Sequence, residues 1–321
     1  MKKKKIGLIL GKIAPFHKGH NYIIDTALSI VDELIFIVYD CPDRIHIPTN
    51  VRANWVRKQY PQVNVIEGWD APNEHNDSDL KVQRKQEDYI SKVLKGKKIT
   101  HFISSETYGK HISKHLNAEN IVVDMDREKI NISSTMIREN LYTSRSYIPS
   151  IVYRDLITKI AFIGFDWEST NKLAEITAKK YKTISGSFSK EPTGEIELLK
   201  IIEENKKEFS NESLIKKANT FAFYTNTSLE AYTLLQGIER VFSGDIRNHA
   251  LKEIDSFDIV FLNRMDDKTI NGISSHFLNN QLEALLQTNK TNYIELLDDY
   301  AEREKKIKET LDLNLKTKIF L

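Results

Sequence analysis

Residues 6–10 (Ile-Gly-Leu-Ile-Leu) and 34–39 (Leu-Ile-Phe-Ile-Val-Tyr) run without a charged or amide side chain. A strand with one wet face alternates polar and apolar residues. These two do not, so they are expected to be buried on both faces, as in a parallel sheet covered by helices. The segment between them, 19–31, has the spacing of an amphipathic helix. The pattern then repeats: helix 51–59, strand 63–66, helix 80–94, strand 99–104, helix 109–116 and strand 121–123. Such alternation predicts a doubly wound α/β fold, in which ligands bind beyond the carboxyl ends of the strands.

A second β-rich run at 159–164 restarts the strand-then-helix pattern after Ile148-Pro149-Ser150. With about 100–200 residues per domain, a chain of 321 residues holds two. The expected division is near residue 157, giving domains 1–157 and 158–321. The second half offers further strands at 221–224 and 258–262 and a charged amphipathic helix at 298–311, while 73–79 reads as a polar, mobile loop.

The bulk properties exclude several classes. A formal net charge of +2 gives no global case for nucleic-acid binding, and Lys2 to Lys5 read as a solvated start before a buried strand. No run of about 18 apolar residues could span a membrane, and the apolar stretch 6–10 is too short for a signal-peptide core. Cys41 is the only cysteine, so no intramolecular disulfide can form, and a reducing cytoplasm fits.

The chemistry gathers after the first strand, at Gly11-Lys12-Ile13-Ala14-Pro15-Phe16-His17-Lys18-Gly19-His20. Gly11 permits a sharp turn and Pro15 ends the strand. His17 and His20 are three residues apart, hence on one face of a helix, and Gly19 lets a bulky group approach the backbone. The free amides and dipole of a helix start favour an anion. Two imidazoles there suit donation of hydrogen bonds to phosphate oxygens. A second element, Asn131-Ile132-Ser133-Ser134-Thr135-Met136-Ile137-Arg138, can be capped by Ser133 or Ser134, with Arg138 one turn into the helix. Hydroxyls, amides and a guanidinium converging in this way suit a polyphosphate.

Gly-Lys-x-x-Pro-x-His-x-Gly-His followed by Ile-Ser-Ser-Thr-x-Ile-Arg resembles the nucleotidyltransferase superfamily. More narrowly it resembles nicotinamide-nucleotide adenylyltransferases of the bifunctional NadR type. Residues 102–109, 123–127 and 147–149 support that choice, and the likeness runs in order over 5–165. Ile13 departs from the aromatic residue usual there, a change expected in packing rather than chemistry.

The resemblance implies adenylyl transfer from ATP to nicotinamide mononucleotide, giving NAD and pyrophosphate. It assigns His17 and His20 to the triphosphate, with His20 nearer the α-phosphate. Lys12 would neutralise charge between the substrates, and Ser134, Thr135 and Arg138 would hold the β- and γ-phosphates. Gly11, Gly19 and Ser133 complete the ATP site. Magnesium would be held mainly by ATP phosphates and water, with no protein ligands legible. On the acceptor side the resemblance offers Pro48, Thr49 and Arg52, which match a motif opening a helix beside the site. Trp69 is a candidate stacking partner for the nicotinamide ring. Ser104, Ser105, Glu106 and Tyr108 lie just beyond a strand end. Arg127 is expected to reach phosphate or to support its loop. A homo-oligomer is compatible with the resemblance. A helix-turn-helix repressor role is not expected of a chain that opens at the catalytic strand.

The NadR-type second domain resembles a P-loop kinase acting on nicotinamide riboside. A phosphate loop needs Gly-x-x-x-x-Gly-Lys-Ser/Thr. Counted from Gly164, those places hold Ser169, Thr170 and Asn171, and shifting by one to reach Lys172 puts Leu173 at the hydroxyl. Asp166 and Glu168 add negative charge. At 221–227, Tyr224 and Asn226 stand where two acidic residues are expected. A kinase-like α/β fold without kinase activity is therefore expected, with Asp298-Asp299-Tyr300-Ala301-Glu302-Arg303 as its remaining family-like stretch. Two other readings stay open. One is transfer to another phosphate acceptor such as pantetheine phosphate, or with CTP as donor. The other is a non-catalytic regulator that senses NAD.

Overall fold

The computed structural model describes residues 3–72, 79–187, 199–200, 202–205, 207, 215–239, 244–264, 269–270, 272–296 and 299–318. Most of the polar stretch 73–79, and Asp298, lie outside them. The chain falls into two compact units, built mainly of Met1–Val152 and of Tyr153–Asn314. The division precedes residue 157 because Tyr153 belongs to the second core: it is buried, and its hydroxyl donates to the Ala218 carbonyl at 2.6 Å.

The first unit begins β1 (Ile6–Gly11), α1 (Lys18–Ile30), β2 (Glu33–Tyr39), α2 (Thr49–Gln59), β3 (Asn64–Gly68) and α3 (Leu80–Leu94). It continues β4 (His101–Ser104), α4 (Gly109–Leu116), β5 (Glu119–Val122) and α5 (Ser134–Glu139), and α6 (Ser150–Leu156) runs across the division. The strands form one parallel sheet in the order β3-β2-β1-β4-β5. Leu8, Ile35, Ile37, Phe102 and Ile112 are buried in one cluster. Each contributes about 1.5–3 kcal/mol by leaving water. That core explains the unbroken apolar runs. The chain order reverses between β1 and β4, so a crevice is expected beyond Gly11 and Ser104.

The second unit contains β6 (Thr158–Ile163), α7 (Trp167–Lys180), β7 (Ile184–Ser187), β8 (Phe221–Thr225), α8 (Ser228–Glu239) and α9 (Gly244–Ile254). There follow β9 (Ile259–Asn263), β10 (Thr269–Ile270), β11 (Ile273–Ser274), α10 (Ser275–Thr288), β12 (Ile294–Leu296) and α11 (Tyr300–Lys318). Five of its strands pair in parallel in the order β12-β9-β6-β8-β7, and β10 and β11 form a small hairpin. Among the described residues no helix is long and apolar enough to cross a membrane.

Candidate active site

The turn after β1 is tightly held. Ile13 is buried and sits at φ 50°. That left-handed conformation strains a β-branched residue and persists only where the surroundings impose it. Three carbonyls around it are gripped by side chains from other elements. The Lys12 carbonyl accepts from Arg52 Nη1, the Ala14 carbonyl from Arg138 Nη1 at 2.5 Å, and the Pro15 carbonyl from Ser134 Oγ at 3.1 Å.

Helix α1 then starts with a capping box made of histidines. His17 is the N-cap, and its Nδ1 accepts from the Gly19 N–H at 3.1 Å. His20 is the third helical residue, and its Nδ1 accepts from the His17 N–H at 3.2 Å. Serine and glutamate usually fill these two places. An imidazole whose Nδ1 accepts carries its proton on Nε2 when neutral, so both rings present Nε2–H donors. Burial pushes the His20 pKa down to about 4, with Arg127 adding to the effect. Burial, then the neighbouring His20, pushes His17 lower still. Both are neutral at pH 7. Gly19 has a steric reason beyond ligand approach: a Cβ there would lie 2.9 Å from Cε1 and Nδ1 of His17.

Facing the histidines, Ser133 caps α5, accepting from Met136 N–H at 3.1 Å, while Arg138 Nη2 donates to Thr135 Oγ1 at 3.1 Å. Burial lowers the pKa of Lys12 and, with a further push from Arg44, that of Arg138. Cations crowded into a half-buried place favour an anionic guest.

Two cavities open here, of about 460 and 200 Å³. The larger is lined by Gly11, Lys12, Ser104, Tyr108 and Arg138, and the smaller by His17, Gly19, Arg127 and Ser133. Both are lined by His20, Ser105, Glu106, Ser134 and Thr135. Pro48, Thr49, Arg52 and Trp69 line neither. Pro48 starts α2, and Thr49 and Arg52 are buried beneath it. Trp69 is 52% exposed, with its Nε1 donating to Glu67 at 3.0 Å.

The structure adds lining residues that the motifs did not reveal: Phe36, Tyr39, Arg44 and Gln86 in the larger cavity and Asp124 in the smaller. Arg44 could have been found from its place shortly after the end of β2. Asp124 builds its own loop, its carboxylate accepting from the N–H groups of Lys129 and Ile130 at 2.9 and 3.0 Å. Those bonds, the Lys129 one first, lower its pKa.

In the second unit, Gly164 follows β6 at φ 153°, where a Cβ would overlap the Asn263 carbonyl oxygen. Asp166 caps α7 by accepting from Ser169 N–H at 3.3 Å. The buried Glu230 accepts from the N–H of Gly164 at 2.9 Å and of Thr227 at 2.6 Å. Tyr224 lies within β8 with its ring against Phe257. Asn226 follows the strand end and donates to Ser187 Oγ at 2.6 Å. Among the described residues, no group of three or more His, Cys, Asp or Glu could hold a metal ion.

No protein-family model matches the chain. It is 27% identical over 209 residues to the trifunctional NAD biosynthesis/regulator protein NadR of Salmonella typhimurium. It is also 27% identical over 213 residues to NadR of Escherichia coli. Each match covers 57% of this chain and 48% of the relative, so the chain spans about half the length of these curated relatives. The phosphopantetheine adenylyltransferase of Fusobacterium nucleatum is 27% identical over 162 residues, covering 48% of this chain and 96% of that protein. A solved structure of NadR protein in complex with NAD and AMP-PNP superposes with a TM-score of 0.56 at 15% identity, over 96% of this chain and 95% of that one. A second, of NadR protein in complex with NR, gives 0.56 at 16%, over 92% and 90%. At that identity the likeness concerns the fold.

Proposed function

We propose that this chain, a member of the nucleotidyltransferase superfamily that includes NadR, transfers the adenylyl group of ATP to nicotinamide mononucleotide, giving NAD and pyrophosphate. The observation that carries the reading is the pair of adjoining cavities with His20, Ser134 and Thr135 in both walls. Two nucleotides bound side by side would meet at those groups.

In this reading the mononucleotide phosphate attacks the α-phosphorus in line. A phosphate monoester has its second pKa at about 6, so the nucleophile is mostly dianionic at pH 7 and needs no general base. The protein's work is positioning and stabilisation of charge. The Nε2–H groups of His17 and His20 donate to the triphosphate, His20 at the α-phosphate. Each such preorganised donor is worth about 3–4 kcal/mol in the transition state. Lys12 neutralises charge between the substrates, and Ser134, Thr135 and Arg138 hold the departing phosphates. Ser104, Ser105, Glu106 and Tyr108 face the acceptor. The site offers hydroxyls and the Glu106 carboxylate, oxygen donors that suit magnesium. When bound, the ion would neutralise charge on the phosphate oxygens that carry it.

Purified protein with ATP, magnesium and nicotinamide mononucleotide should form NAD; no dinucleotide product would refute the reading. One observation favours a different acceptor: the match to phosphopantetheine adenylyltransferase spans nearly all of that relative. Turnover of phosphopantetheine, with none of the mononucleotide, would establish that alternative.

The second unit, in the same reading, has no kinase activity. Asp166 brings a carboxylate to the loop after β6, and the Glu230 carboxyl occupies the Gly164 amide, where a triphosphate would need cations and free amides. Phosphorylation of nicotinamide riboside by the intact protein above background would overturn this.

A further inference from the structure

Arg52 was expected among the groups that touch substrate, yet its side chain is fully buried. A guanidinium has five N–H donors. Here Nε donates to the Ile47 carbonyl at 2.9 Å, and Nη1 donates to the carbonyls of Tyr39, at 2.8 Å, and of Lys12. Nη2 donates to Thr49 Oγ1 at 2.8 Å and to Asp40 Oδ1 at 3.3 Å. Five contacts engage five donors, which leaves none for a phosphate or a base. Thr49 Oγ1 in turn donates to Asp40 at 2.6 Å, locking the acceptor side.

What this guanidinium joins is informative. Tyr39 ends β2, Ile47 leads into α2, and Lys12 opens the strained turn. We propose that Arg52 is a positioning residue for phosphate chemistry at this site: its grip on the Lys12 carbonyl fixes the turn at Ile13, and with it both the direction of the Lys12 side chain and the approach of the chain to His17. Released from Arg52, Ile13 would relax toward a right-handed or extended conformation, because left-handed backbone is strained for a β-branched residue. Lysine cannot replace arginine here, since one ammonium cannot reach acceptors on three segments in one plane.

The claim about kinetics rests on the adenylyl-transfer reading, while the claim about the turn does not, and the test separates them. Hydrogen exchange is followed in the peptide covering residues 11–20, alongside thermal unfolding, in the wild-type chain, in Arg52→Lys and in the milder Thr49→Val. The expected result is exchange in that peptide faster by about tenfold or more, with first-unit peptides outside 11–20 and 39–52 unchanged. Equal exchange in variants that fold overturns the proposal, whatever the acceptor proves to be. If Arg52→Lys does not fold, the same reading of Thr49→Val decides.

With turnover of nicotinamide mononucleotide in hand, Arg52→Lys should lower kcat about tenfold or more and leave KM for the mononucleotide within about twofold. The double variant Lys12→Ala/Arg52→Lys should be little slower than Lys12→Ala alone, because both changes remove one function. A raised KM with kcat intact, or fully additive losses, would return Arg52 to a substrate contact and refute the positioning role. Absence of any turnover in the wild-type chain would count against the reaction and leave the exchange result to decide on Arg52.

Discussion

The main-chain N–H of His17 donates to Nδ1 of His20 across 3.2 Å, and this bond sets which nitrogen of His20 can face a phosphate. The Gly19 N–H does the same for His17. The rings lie with centroids 3.9 Å apart, and Phe16 stacks on His20 at 5.4 Å. Backbone groups that every helix start leaves unpaired thus orient the two imidazole donors that the proposed reaction would use. The three-residue spacing follows from that geometry, since only the N-cap and the third helical position reach back to each other's amides.

Gly19→Ala is therefore expected to separate activity from stability. Alanine is favoured over glycine in a helix by about 1 kcal/mol, and losing the His17 cap costs about as much, so the thermal midpoint should stay nearly unchanged. The new methyl would nevertheless lie 2.9 Å from the His17 ring and turn it off its amide. A fall in kcat of about a hundredfold is expected, the usual loss for one misplaced transition-state donor. Wild-type turnover in this variant would disprove the orienting role of the cap.

The depressed pKa of His20 carries a stability consequence. Between its folded value of about 4 and its ordinary value of 6.5, the unfolded chain binds the proton and the folded chain does not. The contribution to stability is therefore fully present above pH 6.5 and is lost as pH falls toward 4. His17, depressed further, acts in the same direction. His20→Asn keeps an acceptor near the His17 N–H but cannot titrate. Its unfolding midpoint should fall less steeply than wild type over that window. Parallel curves would mean that His20 is protonated in the fold.

Arg138 holds Ala14 and Thr135 with two different nitrogens. Arg138→Lys keeps the charge and loses the fork, so it should raise KM for ATP and lower kcat by about tenfold or more. Arg138→Ala should be worse than Arg138→Lys. If lysine restores wild-type kinetics, charge alone suffices and the fork is irrelevant.

The legible parts of this molecule were those encoded within a few residues. Unbroken apolar runs gave β1 and β2 because burial on both faces leaves no place for a polar side chain. The histidine pair was legible because its partners are its own neighbours in the helix start. The surroundings of Arg52 were not legible for the opposite reason: one of its acceptors, the Lys12 carbonyl, is 40 residues away and is a backbone atom, which no side-chain pattern records. Short strands also escaped. β7 is Ile-Ser-Gly-Ser and β12 only Ile-Glu-Leu, and both are strands because the sheet beside them offers hydrogen bonds. The partner of Trp69 was not legible either: its ring is half in solvent and its Nε1 donates to Glu67.

Glu230 allows the state of the second unit to be read by titration. Burial is the main cause that pushes its carboxyl up to about 8, against the pull of the Gly164 and Thr227 N–H groups, with Glu253 adding to the rise. The folded chain then binds a proton that the unfolded chain, at the ordinary value of 4.5, releases. The sign is opposite to that of His20: this contribution is present below pH 4.5 and is lost as pH rises through 8. Glu230→Gln imitates the protonated group in shape and keeps a carbonyl acceptor for one of the two N–H donors. The midpoint difference between wild type and Glu230→Gln should therefore shift against wild type from about pH 6 to about pH 9. Curves that stay parallel would show that the carboxyl is already ionised at neutral pH, and that an unshielded negative charge sits beneath the loop at Gly164.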